Sequence, residues 1–245
     1  MPHEEMNEKQ VAAYLKMDAR EVAKLASRGR IPSRKVEGAF RFYKGQIDHW
    51  VEVQMFSAKQ LARGRLADIE QGVSEHHGFE QDVELVWPLI ELGDGGAKIA
   101  VPLASRTRDA AIRDLVDIAD AAGLVCDKAN LVHEVRQREE LCSTAMAPHV
   151  ALPHPRHPLA YDIAASFICV GLSQGGIAFG NPDGSLTRLF FLICCKDDRT
   201  HLHVLARLAQ MLHEDTAIDE LLNALDADEL AALIQTRERQ VIAER

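Results

Sequence analysis

A chain of 245 residues, 47% hydrophobic and 27% charged, holds enough apolar material for one large core or two modest ones, which excludes a disordered or fibrous class. Its net charge of −9 hides an asymmetry: residues 1–65 carry 13 Lys and Arg against 8 Asp and Glu, and the remainder carries 15 against 29. A basic head on an acidic body confines any nucleic-acid contact to the N-terminal part. Five cysteines without a C-x-x-C pair fit reduced, buried thiols in a cytoplasmic protein. Met1-Pro2-His3-Glu4-Glu5 lacks the basic and apolar regions of a signal peptide. The uncharged run Ile163–Pro182 is broken by Ser166, Ser173, Gln174 and Gly175-Gly176; it reads as two strands and a turn, so no membrane insertion is expected.

In chain order, Asn7 to Leu15 has Val11, Ala12 and Leu15 at helical spacing, with Asn7 and Gln10 as a capping box. After Lys16-Met17-Asp18, a second helix is expected over Ala19–Ser27, capped by Asp18, burying Val22, Leu25 and Ala26 and stopped by Gly29. Two short helices around a tight turn suit a helix-turn-helix. Ile31 to Val36 and Phe40 to Phe42 then flank Glu37-Gly38 as a hairpin, and Ile47 and Trp50 lie on a short closing helix.

The residues Tyr14-Leu15, Gly29, Ile31-Pro32, Phe42, Ile47-Asp48 and Trp50 give the head a pattern that resembles the excisionase/MerR-like winged helix-turn-helix. That resemblance implies a DNA-binding domain over residues 1–52. Arg20, Lys24, Arg28, Arg34, Lys35 and Arg41 are the candidate DNA contacts. A unit this small makes few contacts, so useful specificity calls for a homodimer or tandem sites. The plainer alternative is a helical docking module with ordinary surface charges.

Residues 53–80 are polar and Gly-interrupted, and read as a partly helical linker; its His76-His77 pair reads as solvated. A second domain is expected over 81–245. Leu85–Leu89 and Lys98–Leu103 look like early strand or extended segments. Thr107 to Ala122 is an amphipathic helix stopped by Gly123, and Ala129 to Arg136 continues the helical packing, so that Arg138 leaves a helix end. Ile163–Gly171 and Arg188–Cys195 are β-rich. Leu189 to Ile193 is apolar without alternation, as in a strand buried on both faces. Thr200 is read as the N-cap of a helix burying Leu202, Leu205, Leu208, Ala209 and Leu212, and further helices run over Ala217–Leu225 and Ala227–Thr236. The expected fold class is therefore α/β: a mixed sheet flanked by helices, behind a small winged helix-turn-helix domain.

The chemistry is expected around His154. Val150-Ala151-Leu152 is a short apolar strand ended by Pro153, which puts His154 on the bend beyond it. A neutral imidazole there is a nucleophile near neutral pH. Arg138 offers a planar fork for phosphate oxygens, and the helix start near Thr200-His201 favours an anion. His201 and His203 lie about 200° apart around a helix, so only one of them can join the site. His149 and His157 allow a rival zinc set with His154, but prolines 153, 155 and 158 stiffen the loop and no C-x-x-C supports it. His157 is also the alternative phosphoacceptor.

Arg138-Glu139, Ser143-Thr144-Ala145, Leu152-Pro153-His154 and His201-Leu202 fall in an order that resembles the fructose/mannitol/nitrogen-type enzyme IIA domain of the bacterial phosphotransferase system, over roughly 83–235. The resemblance implies that His154 accepts a phosphoryl group from an HPr-like phosphocarrier. It also implies that Arg138 and His201 stabilise that group, with Ser143 or Thr144 as a further phosphate donor, and that neither metal nor organic cofactor is needed. The glycines usual in the family before the strand are here Ala145 and His149. Three readings follow: a regulator coupling phosphorylation to DNA binding, a non-catalytic binding regulator, and a transport component passing phosphate to a separate IIB protein.

Overall fold

The computed structural model describes residues 5–15, 17–36, 38–44, 46–47, 50–51, 83–93, 96–141, 143–146, 149–181 and 184–244. The chain divides into two compact units, Met1–Gln81 and Asp82–Arg245. The expected linker and His76-His77 lie outside the described residues.

In the first unit, α1 (Glu8–Tyr14) begins at Asn7, whose side chain accepts from the Gln10 amide while Gln10 returns the bond to the Asn7 amide. This reciprocal box satisfies two otherwise orphaned N–H groups. Asp18 caps α2 (Ala19–Ser27) through the Arg20 amide. The turn after α2 uses Gly29 at φ 65, a left-handed conformation that suits a residue without Cβ. Val11, Tyr14, Leu15, Val22, Ile31, Phe42 and Ile47 are buried and form the small core. The expected hairpin is β2 (Arg34–Val36) with β3 (Ala39–Tyr43). A further strand, β1 (Glu5–Asn7), pairs antiparallel with the other side of β3, giving the order β1-β3-β2.

The second unit is built on a mixed five-stranded sheet. Its strands are β4 (Ile99–Ala100), β5 (Ala145–Met146), β6 (Val150–Ala151), β7 (Phe167–Ile177) and β8 (Thr187–Cys194), in the order β4-β7-β8-β6-β5. The β4/β7 and β6/β8 pairs are parallel, and β7/β8 and β5/β6 antiparallel. Leu189 to Ile193 are fully buried, as the unalternating apolar run requires. Alternation then sorts the two faces. Phe167 and Cys169 of β7, with Phe190, Leu192 and Cys194 of β8, join a core with Ile112, Leu115 and Val116 of α4 (Arg108–Ala121) and Leu131 and Val135 of α5 (Lys128–Leu141). Each such side chain contributes about 2 kcal/mol by leaving water. Gly171 leaves no room for a side chain in this packing: a Cβ there would lie 2.9 Å from a Leu103 methyl carbon. Three more helices, α6 (Asp198–Met211), α7 (Asp215–Leu222) and α8 (Ala227–Ala243), complete the unit, with α7 on β8 and α8 on β4.

Several expectations are corrected. Leu85–Leu89 is not an extended segment: Trp87–Ile90 forms a one-turn helix, α3, with Pro88 early in it, where a missing N–H costs nothing. Glu238 holds that segment, its carboxylate accepting from the amides of Leu85, Val86 and Trp87 at 2.7–2.8 Å. Ile163–Pro182 is not two strands and a turn: β7 continues through Gly175-Gly176, with irregular pairing between Leu172 and Ile177 and Gly176 at φ 71. Nor does α6 start at Thr200. Its N-cap is Asp197, whose carboxylate takes both the amide and the hydroxyl of Thr200.

Candidate functional site

Strand β6 carries the chain to the site. The Leu152 amide donates to the Thr144 carbonyl at 3.1 Å, and the Pro153 carbonyl accepts from Ile193 of β8 at 2.9 Å. Pro153 has no N–H to extend a ladder, so the chain turns and leaves His154 at the strand end. His154 is only 1% exposed, and its Nδ1 lies 2.7 Å from the Leu152 carbonyl oxygen. A carbonyl only accepts, so Nδ1 carries the proton and the lone pair of the neutral ring is on Nε2.

The ring of His201 packs against that of His154, with centroids 4.9 Å apart and planes tilted by 51°. His201 lies one turn into α6, its amide already bonded to the Asp197 carbonyl at 3.2 Å. The free amides of this helix start therefore precede it, and Asp197 takes one of them, that of Thr200. His203 is buried; the contact with the His154 ring belongs to His201.

Arg138 occupies the last turn of α5 rather than a segment beyond it, and its side chain is 1% exposed. Next to it Glu139 is buried as well. Burial pushes the Glu139 carboxyl above its ordinary range, against the pull of the Thr144 hydrogen bonds and of the Arg138 charge. Thr144 gives Glu139 both of its donors, the amide at 3.1 Å to each carboxylate oxygen and the hydroxyl at 2.6 Å. The Ser143 hydroxyl donates to the Phe179 carbonyl at 2.9 Å and accepts from the Ala145 amide at 3.2 Å. These two hydroxyls are engaged inside the fold. In the sequence Glu139 stands out only as half of a motif, with no role of its own; a carboxylate five residues before a threonine carries no periodic signal of the turn that joins them.

The two positions where the sequence departs from glycine differ in kind. Ala145 is buried in the core of the second unit. His149 has φ 61, and its Nδ1 meets the Leu186 carbonyl at 2.7 Å. Its carbonyl accepts from Arg188 and Leu189 at 2.8 and 3.0 Å, which sets the entry of β6 beside β8. His157 is exposed, away from the burial of His154. Among the described residues no three His, Cys, Asp or Glu side chains converge as metal ligands.

In the first unit the exposed face of α2 carries Arg20, Lys24 and Arg28. On the wing, Arg34 and Arg41 face each other across β2 and β3. Arg34 bonds Glu5 of β1 at 3.1 Å and lies over the Tyr43 ring at 4.8 Å, and Arg41 comes within 4.0 Å of the same carboxylate. Lys35 stands 6.0 Å from the Phe40 ring centre. The six cations thus form two groups, one on a helix and one on the wing.

The second unit thus joins a mixed α/β sheet to a buried histidine just beyond β6, with Nδ1 on the Leu152 carbonyl and a second imidazole against its ring. Residues 97–237 match the EIIA 2 family of the phosphoenolpyruvate-dependent sugar phosphotransferase system, and the chain belongs to that family. Residues 6–55 match a helix-turn-helix domain. A fructose-specific EIIABC component of the phosphotransferase system from Bacillus subtilis is 26% identical over 143 residues, which is 58% of this chain and 22% of the relative. The mannitol-specific phosphotransferase enzyme IIA component of the same organism is 26% identical over 102 residues, 42% of this chain and 69% of the relative. This chain thus spans about a fifth of the fructose-specific relative's length. In fold, it is similar to IIA mannitol from Escherichia coli, with a TM-score of 0.51 and 22% identity over 59% of this chain and 99% of that one. It is likewise similar to the nitrogen regulatory protein IIA-Ntr of Neisseria meningitidis, with a TM-score of 0.51 and 21% identity over 56% and 92%. Among the described residues no helix is long and apolar enough to cross a membrane.

Proposed function

We propose that this protein is a cytoplasmic regulator that accepts a phosphoryl group on His154 from an HPr-like phosphocarrier and couples that state to DNA binding. Its parts are a DNA-binding domain over 1–52, a linker over 53–80 and an enzyme IIA-like domain over 81–245. The observation that carries the reading is the buried His154 ring, with Nδ1 tied to the Leu152 carbonyl and the lone pair left on Nε2. In the reaction the Nε2 lone pair attacks the phosphorus of the carrier's phosphohistidine in line. The new N–P bond forms at Nε2 as the carrier's N–P bond breaks, and the electron pair returns to the carrier's imidazole. Nδ1 keeps its proton, so the Leu152 carbonyl stabilises the positive charge that grows on the ring. Arg138 and His201 supply donors for the equatorial oxygens. The phosphoryl group adds close to two negative charges, and the helix-turn-helix match supports a DNA-bound readout.

The test is incubation with phosphoenolpyruvate, enzyme I and an HPr-type carrier, beside His154→Ala, followed by DNA binding of both forms. Acid-labile phosphate in the wild type alone, with a change in DNA affinity, is the expected result. Identical DNA binding in both states removes the coupling. Transfer onward to a separate IIB protein is a second reading, favoured by the solved complex of a similar protein, enzyme IIA mannitol, with phosphorylated enzyme IIB mannitol from Escherichia coli. Labelling of a IIB protein by the phosphorylated chain decides for it.

A further inference from the structure

Glu139 is the centre of an interior hydrogen-bond chain that ends on the candidate nucleophile. Its carboxylate receives the amide and the hydroxyl of Thr144. The Thr144 carbonyl receives the Leu152 amide at 3.1 Å. The Leu152 carbonyl then meets Nδ1 of His154 at 2.7 Å. Glu139, Thr144, Leu152 and His154 are all buried, so water does not stand in for a missing partner and each link fixes the next.

We propose that Glu139 is a positioning residue for the phosphoacceptor: through Thr144 and Leu152 it places the carbonyl that holds the His154 proton on Nδ1. The inference rests on the reading of His154 as the acceptor, because a fixed Nδ1–H is what keeps Nε2 nucleophilic. The two Thr144 donors converge on Oε2 of Glu139, and the amide is shared at the same 3.1 Å with Oε1. A carboxamide at 139 has one oxygen for these two positions, so its NH₂ faces the shared amide or the hydroxyl. Thr144 shifts away from that donor, taking with it the carbonyl that anchors Leu152. A carboxylate that merely capped the turn after α5 would leave the His154 tautomer unchanged when altered.

The experiment uses the full chain and reads two quantities. Long-range ¹⁵N–¹H NMR of the unphosphorylated protein reports the His154 tautomer, and quenched labelling from an HPr-type carrier reports the rate. In wild type a single Nδ1–H tautomer is expected. In Glu139→Gln both tautomers are expected, with labelling slower by about tenfold to a hundredfold, the scale of a small misplacement of a reacting atom. Thr144→Ser keeps both donors and retains the wild-type tautomer and rate; Thr144→Val, which keeps shape and amide but removes the hydroxyl, falls between. A single Nδ1–H tautomer and an unchanged rate in Glu139→Gln overturn the proposal. Should that variant fail to fold, an unchanged tautomer in Thr144→Val does the same. If wild type takes no label, the phosphoacceptor reading falls, and the tautomer populations decide the positioning role alone.

Discussion

The Nδ1 of His154 and the carbonyl oxygen of Leu152 lie 2.7 Å apart, two residues from one another on the same stretch of backbone. The bond is local, yet it holds the proton on Nδ1 and so puts the lone pair of the neutral ring on Nε2. Phosphorylation is expected at Nε2. ¹⁵N-labelled histidine combined with ³¹P coupling identifies the bonded nitrogen, and a phosphoryl group on Nδ1 would contradict the arrangement.

His201 packs against the ring of His154, and His203, two residues farther along α6, is buried. Replacing His201 by Ala is expected to slow phosphoryl acceptance on the order of a hundredfold, the scale for removing one donor aimed at developing charge. Thermal stability should change little, because His201 is only half-buried. His203→Ala should do the reverse, lowering the melting temperature at a nearly normal labelling rate. Rapid-quench labelling and thermal unfolding separate the two.

Arg207 and Glu238 form a fully buried ion pair at 3.1 Å, both side chains 0% exposed. Removing one partner of such a pair destabilises by about 3–5 kcal/mol, so Glu238→Ala should show a large drop in the urea midpoint. Glu238 also takes the amides of Leu85, Val86 and Trp87. The apolar double variant Arg207→Met/Glu238→Leu should therefore remain destabilised, by about 1–3 kcal/mol for the buried Val86 amide alone. A double variant as stable as wild type would show that these amides find other partners.

Burial holds the Glu139 carboxyl above the ordinary range, with Thr144 and Arg138 opposing the shift. The native state then binds this proton more readily than the unfolded chain does. Its stabilising contribution is complete below the ordinary glutamate value of about 4.3 and is lost as pH rises through the native value. Wild type should accordingly lose stability relative to Glu139→Gln on going from acid to neutral pH, measured by urea unfolding across the series. A difference that is flat or rises with pH would reverse the assignment.

On the head, Glu5 offsets the charge of Arg34 and Arg41, while Arg20, Lys24 and Arg28 stand on the exposed face of α2. Glu5→Gln should tighten DNA binding by about two- to fivefold, the worth of exposed ion pairs. Lys24→Ala should lower the salt-dependence slope by about 0.9, as expected when one DNA phosphate is no longer neutralised. Fluorescence anisotropy over a salt series measures both, and weaker binding by Glu5→Gln would show that Glu5 organises the wing for DNA.

Much of this fold was legible because its signals are local. The Asn7–Gln10 box, the Asp18 cap, the 3.6-residue period of α4 and the unbroken apolar run of β8 each specify an element within a few residues. Strand β1 was hidden because Glu5-Met6-Asn7 has no strand pattern of its own and becomes one by pairing with β3. Asp197 and Thr200 are both good caps, and only three-dimensional reach shows that the first captures the second. The place of His154 was readable from Pro153. The commitment of Thr144 to Glu139, and of Glu238 to a segment some 150 residues away, depends on tertiary turns that no short spacing encodes.

His149, finally, stands where the backbone is left-handed, at φ 61. Such a position has a short alphabet: glycine, asparagine and aspartate share it readily with histidine, and β-branched side chains are shut out. The imidazole adds the bond to Leu186, which glycine lacks. The strand leading to His154 thus tolerates exchange within that alphabet, at the loss of one tether, and resists nearly every other change.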